Sequence, residues 1–192
     1  MEKVRCGWCE ASDVYRNYHD REWGVPTHDD QLLFEALALE TQQAGLSWIT
    51  ILNKRDNYRL AFKNFDIKLV SQFDEAQIEK LVSNKGIIRH RGKIVAIVNN
   101  ARLILDIQSE FKSFDAFIWN YVSGTPIVNR VVNYRDAPSY SSLSTRISQD
   151  LKKRGFKFVG PTTIYSFMQT IGMVNDHETS CYRFKEIENG NF

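Results

Sequence analysis

The chain reads as an all-α protein, and two observations carry that reading. Apolar residues recur at helical spacing almost throughout: Ile94, Ile97, Val98, Ala101, Ile104 and Leu105 form one stripe of a long helix. Leu143, Ile147 and Leu151 repeat every fourth residue, as do Ile164 and Met168 beside Phe167 and Ile171. No convincing pair of alternating strands competes with these patterns, so about nine helices without an internal repeat are expected.

Taken in order, Asp29 and Asp30 stand where a helix bearing Leu33, Phe34 and Leu37 would begin. Asp74 followed by Gln77 reads as a capping box opening a short helix that buries Ile78, Leu81 and Val82. The long helix follows. From Gly124 to Ser142 runs an irregular stretch with Pro126 and Pro138, a length that implies either mobility or function. Leu143–Arg154 is again helical, residues 155–161 interrupt it, and Thr162–Gly172 resumes the period. The charged tail after Cys181 is expected to fray.

A length of 192 residues fits one ordinary domain, or two small lobes sharing a core. With 43% hydrophobic and 25% charged residues the balance is that of a soluble globular chain. No segment approaches a membrane span, and the N-terminus lacks the apolar run of a signal peptide. An odd set of three cysteines argues against a secreted disulfide scaffold and for the cytoplasm, where thiols can hold metal. The net charge of +2 says little, but its distribution is uneven. Lys80 to Leu105 carries six Lys or Arg and no acid, and Lys152, Lys153, Arg154 and Lys157 form a second acid-free window. Two such windows suggest a surface for a polyanion, although solvated helix faces give the same pattern.

Between the last two long helical segments, Gly160 lets the backbone come close to whatever faces it, and Pro161 suits a first helical turn. The amides and dipole of that helix N-terminus favour a phosphate, with Lys157 adding charge and Thr162 in the first turn. The arrangement resembles the helix-hairpin-helix element of the DNA glycosylase superfamily, although only Val159 and Gly160 of its usual Leu-Pro-Gly-Val-Gly core are retained. Arg89, Arg91 and Lys93 in the first basic window are further candidate contacts to the DNA backbone.

Cys6 and His19 are separated by twelve residues, and His177 and Cys181 by three, one helical turn if that stretch is helical. Two thiolates and two imidazoles can close a tetrahedral zinc site, yet neither pair alone is a zinc-finger signature. Arg5-Cys6-Gly7-Trp8, Tyr18-His19-Asp20 and Asn175-Asp176-His177 through Cys181 resemble the zinc-binding positions of bacterial type I 3-methyladenine DNA glycosylases. Cys9 is extra to that pattern, either a competing ligand or a spare thiol. Four protein ligands leave no vacant position, so the implied zinc is structural, and a zinc hydrolase is disfavoured.

The same resemblance runs through Tyr18–Pro26, Leu39–Trp48, Gly86–Ile94 and Gly155–His177. It implies a helix-hairpin-helix glycosylase fold over residues 1–192, with a zinc clasp joining the N- and C-terminal segments. It also implies a monomeric, monofunctional enzyme that flips 3-methyladenine out of alkylated double-stranded DNA and excises it. Trp8, Tyr18 and Trp48 would then wall the base pocket, while Gly45 and Leu46 fill the gap in the duplex. Trp23 is left open, and Ser47 is equally read as a helix cap. Glu40 follows the stripe of Leu33 and Leu37, where an unpaired carboxylate is poorly hydrated and costly. By the resemblance it is the catalytic acceptor that prefers a cationic base. Asp176, beside an implied ligand, is read as unavailable for that role. The rival reading is a non-catalytic module that binds alkylation damage.

Overall fold

Most of the longer helices begin at a side chain that accepts a backbone N–H of the first turn, as their sequences predict. The computed structural model describes residues 3–191. Ser12 caps α1 (Asp13–Arg21) and Asp29 caps α2 (Asp30–Gln43). Three short helices follow: α3 (Trp48–Leu52), α4 (Arg55–Ala61) and α5 (Ile67–Ser71). The expected capping box of Asp74 and Gln77 opens α6 (Glu75–Ser83), and His90 caps the 21-residue α7 (Arg91–Phe111). After α8 (Phe114–Trp119) comes the irregular stretch, then α9 (Ser142–Lys153), α10 (Pro161–Thr170) and α11 (Tyr182–Glu188). Eleven α-helices thus stand among the described residues. The surplus over the expectation comes from five-residue helices too short to show a period.

Two expectations are corrected here. The tail after Cys181 does not fray: α11 buries Phe184 and Ile187, an apolar pair three apart among charges. The irregular stretch, in turn, is not free of sheet. β1 (Ile127–Val128) pairs in parallel with β2 (Val174–Asn175), tying that stretch to the chain beyond α10.

The core gathers around α2, which packs against α3, α7, α8 and α10. From Leu37 to Gln42 every residue of α2 is buried, including Glu40, Thr41 and Gln42. A helix buried on all sides must find partners for its polar groups within the protein. Thr41 donates to the Ala38 carbonyl at 2.6 Å, and Gln42 donates to the Lys93 carbonyl at 3.1 Å. Glu40 is a carboxyl met by a neutral hydroxyl, that of Thr170, and it defines the site.

Helices α9 and α10 pack against each other, and the hairpin between them rests on α7. Asn100 accepts from the Lys157 N–H at 2.9 Å and donates to the Lys157 carbonyl at 3.1 Å, while Ser148 donates to the Val159 carbonyl at 2.6 Å. The hairpin is therefore a rigid element held by side-chain bonds to its own backbone, and Lys157, Phe158 and Thr162 are exposed on it.

Candidate functional site

Glu40 sits in the last turns of α2 with only 4% of its surface exposed. Its Oε1 accepts a 2.8 Å hydrogen bond from Thr170 Oγ1, at the end of α10. Thr170 Oγ1 in turn lies 3.1 Å from the Tyr18 hydroxyl on α1. Burial pushes the Glu40 carboxyl up to about 8, against the smaller opposing effect of the Thr170 bond. Burial and the neighbouring Glu40 carboxylate also hold the Tyr18 phenol well above its ordinary range, so Tyr18 stays a neutral donor.

A cavity of about 250 Å³ opens beside Glu40. All three expected aromatic residues, Trp8, Tyr18 and Trp48, line it, and so does Trp23. Tyr18 and Trp48 lie 5.6 Å apart at 51°, and Trp8 meets Trp23 edge-on at 5.1 Å. The Trp48 indole N–H is buried and has no partner among the described residues. Sequence reading missed Tyr15, Gln43, Tyr134 and Gln169, which also line it, as do Ala137, Ser166 and Thr170. Asp176 also lines the cavity, with its carboxylate already occupied by protein donors. Its carboxylate accepts from Asn129 at 2.7 Å, from Tyr165 at 2.8 Å and from Gln169 at 2.8 Å.

The turn after α2 is built by Gln43. The Leu46 N–H donates to the Gln43 carbonyl at 2.7 Å, and Gln43 Nε2 returns a 2.8 Å bond to the Leu46 carbonyl. Gly45 supplies the left-handed conformation that this turn requires, with φ of +80° and open space around it. The turn carries Leu46 on the surface beside the cavity mouth, and Gln43 belongs to both. Ser47 occupies the cap position of α3 but bonds the Thr50 hydroxyl at 2.8 Å, not the helix backbone.

Cys6, His19, His177 and Cys181 converge from both ends of the chain. All four are buried, and their ligand atoms lie within 4.8 Å of one another. Cys6 Sγ is 3.5 Å from His177 Nδ1, while Cys181 Sγ is 3.4 Å from His19 Nε2 and 3.8 Å from His177 Nδ1. A zinc tetrahedron with ordinary Zn–S and Zn–N bonds has edges of about 3.5 Å, so the donor set fits that ion. The other imidazole nitrogens are already oriented: His19 Nδ1 lies 2.8 Å from Asp20, and His177 Nε2 lies 3.1 Å from the Trp23 carbonyl. Cys9 stands outside the set, with its thiol on the Cys6 carbonyl at 3.1 Å. The stretch from His177 to Cys181 is not helical. Cys181 instead caps α11 in an extended conformation, after a loop. Trp8 packs edge-on against His19 at 5.6 Å, and Trp23 against His177 at 4.7 Å, so the cluster backs directly onto the cavity wall.

The candidate phosphate contacts divide. Arg89, Lys157 and Thr162 are exposed, and a side chain at Gly160 would meet no atom within 4 Å. Arg91 is exposed but paired with Glu75 and Glu79. Lys93 departs from expectation: it is 6% exposed, and its ammonium donates to the Gln42 carbonyl at 2.8 Å and the Ala44 carbonyl at 2.7 Å. It caps the C-terminus of α2 from inside, where cations are favoured.

The chain is similar to known proteins in sequence and in overall backbone. Residues 8–184 match the methyladenine glycosylase family. The DNA-3-methyladenine glycosylase 1 of Escherichia coli (strain K12) is 50% identical over 177 residues, covering 92% of this chain and 95% of that protein. A crystal structure of a 3-methyladenine DNA glycosylase I superposes with a TM-score of 0.90 at 49% identity, covering 93% of this chain and 98% of the other. A Staphylococcus aureus 3-methyladenine DNA glycosylase I, solved to describe its recognition of 3-methyladenine, gives a TM-score of 0.90 at 40% identity, over 93% and 95% of the two chains. With matches this long in both sequence and backbone, the chain belongs to the methyladenine glycosylase family.

Proposed function

We propose that this chain excises 3-methyladenine from alkylated double-stranded DNA, hydrolysing the N-glycosidic bond and leaving an abasic site. Glu40 carries the reading. Its carboxyl is buried beside an aromatic cavity, its one hydrogen-bond donor is a neutral hydroxyl, and no Lys or Arg lines that cavity. An anion so placed is costly until a cation meets it. The 3-methylated adenine nucleoside carries a positive charge and amine hydrogens, whereas adenine is neutral. The damaged base thus supplies the partner that Glu40 lacks, and undamaged adenine does not.

The steps follow from the positions. Leu46, presented by the turn at Gly45, enters the gap left by the extruded nucleotide. Trp8, Tyr18 and Trp48 offer flat faces to the base, and stacking of this kind contributes ~1–3 kcal/mol. Arg89, Lys157, Thr162 and the amide at Gly160 hold the DNA backbone without reading sequence. Glu40, returned to its carboxylate form, holds the cationic base. The bond from C1′ to the base then breaks, its electron pair neutralises the leaving base, and water adds at C1′ with loss of a proton. No lysine reaches the cavity to form a Schiff base, which supports a monofunctional enzyme. Relatives with this name and a structure that concerns 3-methyladenine support the choice of base.

Cys6, His19, His177 and Cys181 would hold one structural zinc ion, which when bound neutralises the two thiolates and leaves no open coordination position. These residues seat Trp8 and Trp23, so their contribution is to pocket shape. The three buried free thiols suit a reducing compartment, the cytoplasm.

The test is release of free 3-methyladenine from methylated DNA. Wild type should release it and Glu40→Gln should not, while still binding DNA. Unchanged excision by Glu40→Gln would remove Glu40 from the mechanism; tight binding without release by wild type would leave only a damage-binding module.

A further inference from the structure

The irregular stretch between α8 and α9 has no part in the reading so far, yet it reaches the cavity through Tyr134 and Ala137. It runs alongside the chain that follows α10. The Ile127 N–H donates to the Met173 carbonyl at 3.0 Å, the Asn129 N–H to Asn175 at 3.1 Å, and the Thr179 N–H to Val131 at 2.8 Å. The strap formed in this way ends at Glu178. That carboxylate is 8% exposed and takes two backbone amides, Tyr134 N–H at 2.8 Å on Oε1 and Gly7 N–H at 3.0 Å on Oε2. Charge-assisted bonds to a carboxylate are among the stronger ones available.

These two amides belong to a ring and to its bed. A Cβ added at Gly7 would fall 3.2 Å from Tyr134 Cε1 and 3.5 Å from Cδ1, so the phenol ring lies directly over Gly7. The next residue is Trp8, already a wall of the cavity. One carboxylate therefore fixes a loop aromatic and the segment bearing Trp8 in a single arrangement.

We propose that Tyr134 is a further wall of the base pocket, contacting the extruded base, and that Glu178 is the positioning residue that sets it. The proposal rests on the base-pocket reading above. It gives the pocket two independent filters: Glu40 tests charge, and the ring of Tyr134 tests whether a flat base of the right size fills the remaining space. Removing the ring should loosen the grip on the base and leave the means of bond cleavage in place, because Glu40 and Thr170 lie on other elements.

The experiment measures affinity for free 3-methyladenine by quenching of tryptophan fluorescence, together with kcat and KM for release from methylated DNA. Tyr134→Ala should weaken base binding and raise KM at least about fivefold, the lower end of what a stacking face contributes, with a smaller effect on kcat. Tyr134→Phe, which keeps the ring, should restore most of that affinity. Glu178→Ala should reproduce most of the Tyr134→Ala loss, and the loss in the double variant should fall well short of the sum of the two. Equal affinity in wild type and Tyr134→Ala overturns the wall while leaving the pocket reading intact. Additive losses in the double variant overturn the positioning role of Glu178. Should Glu178→Ala not fold, Glu178→Gln, which keeps one acceptor, takes its place in the cycle. A wild-type chain that binds no base and releases none overturns the pocket reading itself, and this wall with it.

Discussion

Thr170 Oγ1 lies 2.8 Å from Glu40 Oε1 and has a single hydrogen to give. Given to Glu40, that hydrogen leaves the Tyr18 hydroxyl, 3.1 Å away, as the donor to Thr170. The chain of bonds ends at a carboxyl that burial holds near pKa 8. A cationic base is expected to draw the proton off that carboxyl. In the free protein kcat/KM should therefore rise with pH and level off above about 8, while kcat, which reports the loaded complex, should level off at lower pH. Coincident profiles for the two parameters would contradict this coupling.

Glu40 should also cost stability when ionised. Its folded pKa of about 8 lies above the unfolded 4.5, so the native state holds the extra proton between those values. Stability from this group is complete below about 4.5 and is lost as pH rises through about 8. Glu40→Gln should accordingly match wild type near pH 4.5 and exceed it at pH 9, by about 3–5 kcal/mol on the arithmetic of linked protonation. Chemical denaturation at the two pH values reads this difference directly.

Lys93 separates structural from DNA-binding cations. Lys93→Met leaves the Gln42 and Ala44 carbonyls without their donor and should destabilise the fold by ~1–3 kcal/mol. It should leave the salt dependence of DNA binding unchanged. Lys157→Ala and Arg89→Ala should do the reverse, lowering the slope of log K against log salt by about 0.9 each with little effect on melting. A reduced slope for Lys93→Met would restore it as a phosphate contact.

Metal content is directly measurable. Protein denatured in the presence of a zinc indicator should release one equivalent, Cys181→Ser should lower that stoichiometry, and Cys9→Ser should not. A chelator under native conditions should lower the melting temperature, because a site absent from the unfolded chain contributes its binding energy to folding. Protein isolated without zinc and melting identically with and without chelator would sink the assignment.

What was legible in the sequence was local. The box of Asp74 and Gln77, the cap at Asp29 and the stripe that carries Glu40 inward all depend on residues within one or two turns. What was illegible depends on partners far along the chain. Lys93 reads as one charge in a basic run because its acceptors lie 49 and 51 residues away. Arg91 looks free until Glu75 and Glu79 are brought beside it by the packing of α6 on α7. Tyr134 carries no local signal at all; its placement comes from Glu178 and Gly7, both remote in sequence. The four Cys/His residues were identified through family likeness, since neither pair is diagnostic by spacing. In the structure a loop, not a helical turn, brings His177 and Cys181 to one cluster.

The contact between Cys6 and His177 spans 171 residues. It has a consequence for the order of events at the ribosome. Helices α2 to α10 can pack while the chain is still being made, since domains assemble from the N-terminal side as they emerge. Until Cys181 has cleared the exit tunnel, the segment bearing Trp8 has α1 and Trp23 to pack on but not the second half of its Cys/His cluster, and Glu40 faces an unfinished cleft. A nascent chain can collapse around its core, yet it cannot grip a base. The long loop adds only slowly to the entropy of closure, so the pocket should close promptly once Cys181 is free to fold, and base excision arrives with it.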